Sequence, residues 1–123
     1  IIGAPKTETM LSLIDALHNQ DTEQALAAVQ TATGNGVDMK LFARMLLEHV
    51  RAVILVRNVP AHKEQILAAF GTDARDKIEG YAGGASSLNS HMLLKLIEAS
   101  DLVGRSPIPQ APLEIALIAV TRS

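Results

Sequence analysis

Apolar residues recur at spacings of three and four along most of the 123-residue chain, and no segment alternates apolar and polar residues over the length of a strand. Spacings of three and four are typical of helices with one face in a core, whereas half-buried strands have a period of two. Val53–Val56 has the composition of a buried strand, but its flanks favour helix. The periodicity predicts an all-α fold, a compact bundle of about five to six helices that forms one domain over residues 1–123.

Residues that begin and end helices divide the chain into segments. Side-chain oxygens of Ser, Thr, Asp and Asn accept hydrogen bonds from the free amides of a first turn, glycine suits the left-handed conformation at a helix end, and proline stops a helix. The predicted N-caps are Thr7, Asp21 (with Gln24 in the capping-box position), Asp38, Thr72 and either Ser87 or Ser90. The predicted ends are Gly34-Asn35-Gly36, Asn58-Val59-Pro60, Gly71 and Gly104. These signals predict helices near 8–19, from Asp21 to Gly34-Asn35-Gly36, over about 39–57, within 61–70, over 72–81, and from the serine caps to Gly104. They also predict a last helix with Pro109 or Pro112 in its first turn.

The third predicted helix is apolar over more than one stripe. Its apolar residues are Leu41, Phe42, Met45, Leu46, Val50, Val53, Ile54 and Leu55. So wide an arc predicts burial on several sides. A helix of this kind needs a second layer of partners around it.

The composition narrows the classes of function. The chain has no cysteine, two Phe, one Tyr, no Trp and a net charge of −2. Nucleic-acid surfaces depend on basic charge and on aromatic stacking, so we expect no direct nucleic-acid binding. The lack of cysteine excludes disulfides and thiolate metal sites and fits a reducing cytoplasm. No apolar run approaches the ~18 residues of a membrane span and no secretory signal is visible, so we expect no membrane partner.

No group of residues predicts catalysis or ligand binding. A phosphate-binding loop would need a glycine-rich stretch followed by Lys-Ser/Thr, which the sequence lacks. The spacing of the four histidines matches no recognised zinc site. They are His18, His49, His62 and His91. The remaining candidates are Ser86-Ser87 with His91, and the acidic group Asp73, Asp76 and Glu79. The serines lack an orienting acid, and the acids alternate with basic residues as on a solvated helix face. We expect no catalytic residue, cofactor or metal ion in this chain.

The predicted subunit contacts are Arg44, Arg51, Arg57, Glu114 and Leu117. The three arginines form a strip on the third helix. Either this strip is a salt-bridged surface, with Arg44 paired to Glu48, or it contacts another subunit, because Arg is enriched at interfaces. Glu114 either complements the start of the last helix or pairs with a neighbouring helix or subunit. Leu117 belongs to the apolar stripe of that helix.

The ordered motifs resemble a known family. They are Ile1-Ile2-Gly3, Leu13-Ile14-Asp15-Ala16-Leu17 followed by Asp21, Gly36-Val37-Asp38-Met39-Lys40-Leu41-Phe42, Leu46-Leu47 to Arg51 with Ile54-Leu55-Val56, and Arg105-Ser106-Pro107-Ile108-Pro109 with Leu113-Glu114-Ile115-Ala116-Leu117. Together they are similar to the third, C-terminal collar domain of the gamma and tau subunits of bacterial DNA polymerase III. Gln110 stands where that family often has Arg.

The resemblance implies an oligomerisation role. In such proteins the collar domains of five subunits form a ring that holds the AAA+ modules while they load the sliding clamp on primed DNA. The implied partners are further gamma or tau copies, delta and delta-prime. Because each subunit of such a ring uses two different faces, we expect one interface on the third helix and another on the last two helices. ATP would bind in an N-terminal part that precedes Ile1, with a zinc module, and a tau-like form could continue past Ser123. The start without methionine fits an excised piece of a longer protein.

Two other classes fit the same composition. One is a helical oligomerisation domain of another AAA+ ATPase. The other is a small helical enzyme or ligand-binding bundle that uses the histidines. Metal or nucleotide binding would distinguish this last class from both assembly hypotheses.

Overall fold

The computed structural model describes residues 5–122, so the motif Ile1-Ile2-Gly3 and Ser123 lie outside the described part of the chain. Residues 5–122 form α-helices joined by short links, with one 3-10 turn and no strand. The helices are α1 (Thr7–Asn19), α2 (Thr22–Gly34), α3 (Met39–Asn58), α4 (Lys63–Leu67), α5 (Thr72–Gly83), α6 (Ser90–Val103) and α7 (Ala111–Thr121), and the 3-10 turn is Pro60–His62. The all-α prediction is confirmed, including helix at Val53–Val56.

The described range holds seven α-helices, so the expected number of five to six is wrong. The segments predicted from caps and helix ends already number seven when counted singly, and the two predicted between α3 and α6 are both present, the first only five residues long. Pro60 has no amide hydrogen to donate and starts a 3-10 turn ahead of α4. Gly71 then precedes α5 in an extended conformation, which breaks the segment into two helices.

Helices α1 and α2 are joined by a short link and pack against each other as a hairpin. The Asp21 carboxylate accepts a hydrogen bond from the Gln24 backbone amide at 3.0 Å, which confirms this N-cap. The Gln24 side chain does not complete a capping box. It donates to the Ser12 carbonyl at 2.9 Å and so ties α2 to α1.

Helix α3 is the centre of the bundle. It packs against α1, α2, α4, α5 and α6, and its apolar residues Phe42, Leu46, Val50 and Val53 are fully buried. Asp38 caps its start by accepting from the amides of Lys40 and Leu41. The predicted burial on several sides is confirmed, and helices of the same chain provide most of it.

Three predicted caps are wrong. The N-caps of α1, α5 and α6 are Lys6, Gly71 and Asn89 in place of Thr7, Thr72 and the serines. The threonines are each the first residue of a helix. The Asn89 side chain accepts from the Met92 amide at 2.9 Å, and Asn is as good a cap as Ser.

Helices α6 and α7 form a second hairpin, and α7 also packs on α2 and α1. Pro112 lies in the first turn of α7, as predicted. Leu113, Leu117 and Val120 point into the core. The hydroxyls of Thr22 and Thr121 are 2.7 Å apart and link α7 to the start of α2. No helix within residues 5–122 is both long enough and apolar enough to cross a membrane.

Candidate subunit interface

The exposed large apolar residues are concentrated at one end of the sequence. Within the described part of the chain they are Val59, Leu94, Ile97, Leu102, Ile108, Ile115 and Ile118. All but the first lie in α6, in α7 or in the connector between them. Scattered exposed apolar residues are ordinary, but a group of them marks a surface that binds a partner or a ligand.

The side of α7 that faces solvent is apolar. Ile115 and Ile118, three residues apart, lie on one helix face with Ala119, opposite the buried Leu113 and Leu117. We call Ile115, Ile118 and Ala119 the α7 outer face. Ile115 is 68 % exposed and Ile118 is 37 % exposed. A helix that is apolar on all sides is normally buried on all sides.

Helix α3 presents a charged stripe to solvent. Arg44, Glu48 and Arg51 are exposed and spaced by four and three residues, so they share one face of the helix. The interpretation of this stripe as a salt-bridged surface is wrong, because the ion pairs found among residues 5–122 include none of these three. Their side chains are therefore available to a partner.

A groove lies between the second half of α3, the 3-10 turn and α4. Its volume is about 580 Å³. Leu55, Val59, Ile66 and Phe70 supply apolar surface, and Glu48 and Arg51 lie along its α3 side. We call this the α3–α4 groove. The groove could not be predicted from sequence, because Ile66 and Phe70 lie in a weakly patterned segment and only the fold brings them opposite Leu55.

Arg57 differs from the other two predicted arginines. Its side chain turns toward the loop before α6, where Nη1 donates to the Leu88 carbonyl at 2.7 Å. Its Nε and Nη2 atoms are buried and form no hydrogen bond within residues 5–122. Arg57 thus holds the α5–α6 loop against α3. Its side chain is only partly exposed, so it offers little surface for a subunit contact.

The two predicted contacts on α7 lie at different depths. Leu117 is fully buried in the core of the domain, so it supports an interface only by holding α7 in place. Glu114 is half-buried at the side of the α7 outer face, one turn before Ile118. It is the only charged residue in Ala111–Thr121 and forms no ion pair within the described residues. The role of the five residues in subunit contact stays a prediction.

A polar cluster joins α1 to α5. His18 Nδ1 and Ser86 Oγ are 2.8 Å apart, and the His18 ring stacks on Tyr81 at 4.5 Å between centroids. The Tyr81 hydroxyl donates to the Asp15 carboxylate, which also pairs with Lys77 at 3.3 Å. The acid bonds Tyr81 and not His18, so this cluster holds no Ser–His–acid chain.

The other predicted candidates are separate from this cluster. His91 and His62 are exposed, and Ser86 pairs with His18 rather than with His91. Glu79 of the acidic group pairs with Lys63 at 3.2 Å. The described residues contain no group of three or more His, Cys, Asp or Glu side chains placed to hold a metal ion.

His49 is the one histidine buried in the described structure. It donates from Nδ1 to the Met45 carbonyl at 2.7 Å, and its ring forms a T-shaped pair with Phe70 at 4.9 Å between centroids. Burial lowers the pKa of His49 below the ordinary value of 6.5, while the Met45 carbonyl and the charge of Glu48 act in the opposite direction. The neutral ring is therefore the form that the folded state favours.

This preference predicts a pH dependence of stability. Since the unfolded chain binds the His49 proton more tightly, the free energy of unfolding should fall as the pH drops below 6.5 and level off below the folded-state pKa. Urea unfolding between pH 8 and pH 5 measures it. His49→Asn retains an amide donor for the Met45 carbonyl and should show a shallower decrease. Equal slopes in the two proteins would contradict the prediction.

These observations define an all-helical domain with an apolar helix face and a groove of mixed polarity on its surface. The family model for domain III of DNA polymerase III subunits gamma and tau matches residues 1–123, the whole chain. The chain therefore belongs to this family, and domain III of these subunits is a non-catalytic helical domain. The resemblance of the sequence motifs is confirmed. Searches of curated proteins and of solved structures found no match.

Proposed function

We propose that this domain joins clamp-loader subunits into the ring that holds their AAA+ modules while these load the sliding clamp on primed DNA. The partners are further gamma or tau copies, delta and delta-prime, in the cytoplasm. ATP binding belongs to the AAA+ part of the parent subunit and not to this domain. The family membership supports the clamp-loader setting over a domain of another AAA+ ATPase.

One observation carries the oligomerisation role: apolar surface is exposed on two different parts of the domain, the α7 outer face and the α3–α4 groove. Removing apolar surface from water stabilises an assembly by roughly 25 cal/mol per Å². A net charge of −2 and three aromatic residues outside histidine give no comparable support to nucleic-acid binding.

The test is assembly of the parent gamma or tau subunit with delta and delta-prime. We expect a stable complex in sedimentation velocity without added nucleotide, and loss of that complex when residues 1–123 are deleted. The isolated partners analysed alone are the control. Full assembly after the deletion would contradict the proposal. A large thermal shift of this domain with a metal ion or nucleotide would instead support the ligand-binding bundle.

A further inference from the structure

We propose that the α7 outer face of one subunit docks in the α3–α4 groove of a second copy of this chain, with Glu114 of α7 facing Arg51 of the groove. This inference rests on the proposed function and specifies which surfaces of two like subunits meet.

The two surfaces are complementary in shape, and each presents apolar side chains, with polar residues along the rest of the groove. The α7 outer face is convex and presents two branched aliphatic side chains, Ile115 and Ile118, to solvent. The groove is concave, with Leu55, Ile66 and Phe70 in its lining. An amphipathic or apolar helix laid into such a groove is a common mode of recognition. Docking would cover the solvent side of α7, on which residues 5–122 provide no packing partner.

Glu114 beside the α7 outer face is opposite in charge to Arg51 of the groove, where Glu48 also lies one turn away along α3. Glu114 adjoins the α7 outer face and Arg51 lines the groove, and neither forms an ion pair within residues 5–122. Opposite charges at the edge of an interface favour the correct partner and register more than they add affinity. An exposed pair of this kind contributes about 0–1 kcal/mol, so the aliphatic side chains supply most of the binding.

The pairing is heterologous, because the two surfaces are on different helices. After one contact forms, the first copy still has a free groove and the second a free α7 outer face, so further copies can add until a ring closes. The alternative is a symmetric contact of α7 with α7. That arrangement would bring the Glu114 side chains of both copies to the same apolar surface, where like charges repel.

A mixing experiment with the full chain tests the pairing. Ile115→Lys disables the helix face, and Arg51→Glu with Val59→Glu disables the groove. These three side chains are exposed, so both variants should melt like the unchanged protein. Each variant alone should self-associate at least tenfold more weakly than the unchanged chain in sedimentation velocity. Mixed in equal amounts, they retain one intact interface and should form a 1:1 dimer that does not grow.

A charge exchange and a surface control complete the test. Glu114→Arg alone should weaken self-association, and Glu114→Arg together with Arg51→Glu should restore it. Gln30→Lys, at an exposed residue of α2 outside both surfaces, should leave self-association unchanged.

Three results would overturn the inference. They are unchanged association of the Ile115→Lys chain, failure of the two variants to form a dimer on mixing, and an unchanged chain that never self-associates. If the unchanged chain never self-associates but the parent subunit still assembles with delta and delta-prime, the proposed function is supported and only the pairing is refuted. If that assembly also fails, the pairing and the proposed function are both refuted.

Discussion

Leu117→Asp is expected to unfold the domain. Leu117 has no exposed surface and lies among core residues of α7 that pack on α1, α2 and α6. An aspartate there would be a charge without a partner in an apolar site. A change of this type costs more than about 4–5 kcal/mol, which approaches the whole stability of a small domain, about 5–15 kcal/mol. Circular dichroism during heating should show no cooperative transition, or one at a much lower temperature.

The matched control is Ile115→Asp, two residues earlier on the same helix. Ile115 faces solvent, and surface substitutions usually change stability by no more than about 0.5 kcal/mol. This variant should fold normally and lose only self-association. Equal melting temperatures for Leu117→Asp and the unchanged protein would show that α7 does not pack against the bundle in this way.

Phe42→Ala should cause the second largest loss of stability. Phe42 is fully buried near the start of α3, where it contributes to the part of the core on which the neighbouring helices pack. Truncating a buried phenylalanine removes transfer free energy and leaves a cavity, at a cost of about 3–5 kcal/mol. Urea unfolding of the two proteins measures the difference.

Phe70→Ala is the control for Phe42→Ala, because it makes the same chemical change at a half-buried site. Phe70 lines the α3–α4 groove and forms a T-shaped pair with His49. It should cost less stability than Phe42→Ala, and under the proposed pairing it should also weaken self-association. If Phe70→Ala destabilised the domain more than Phe42→Ala does, Phe42 would not lie in the centre of the core.

The structure changes the argument for oligomerisation that the sequence supplied. The wide apolar arc of α3 suggested surplus surface on that helix, but the same chain covers most of it with five other helices. What remains on α3 is the charged stripe and the part of the helix that lines the groove. The larger surplus is on α6 and α7, where six of the exposed apolar residues lie in the hairpin and its connector.

Local features of the sequence determined the helices and many of their ends. Asp21 and Asp38 were recognisable as caps because a carboxylate two or three residues from a free amide needs only local geometry. Gly36 was recognisable as a residue that ends α2 because glycine accepts the left-handed conformation. Its φ of 74° lies in that region. The family was also evident from the order of short motifs, since each of them is contiguous in sequence.

Only the tertiary structure decided which side chains of similar type face solvent. Arg51 and Arg57 are six residues apart on one helix, yet Arg51 forms no ion pair within residues 5–122 and Arg57 donates to the Leu88 carbonyl. Leu117 is buried and Ile118 is partly exposed, although they are neighbours in one apolar run. The partner of Ser86 is His18, a residue 68 positions away. Such contacts depend on how helices distant in sequence pack together. The spacing of residues along one helix does not specify which other helices pack against it.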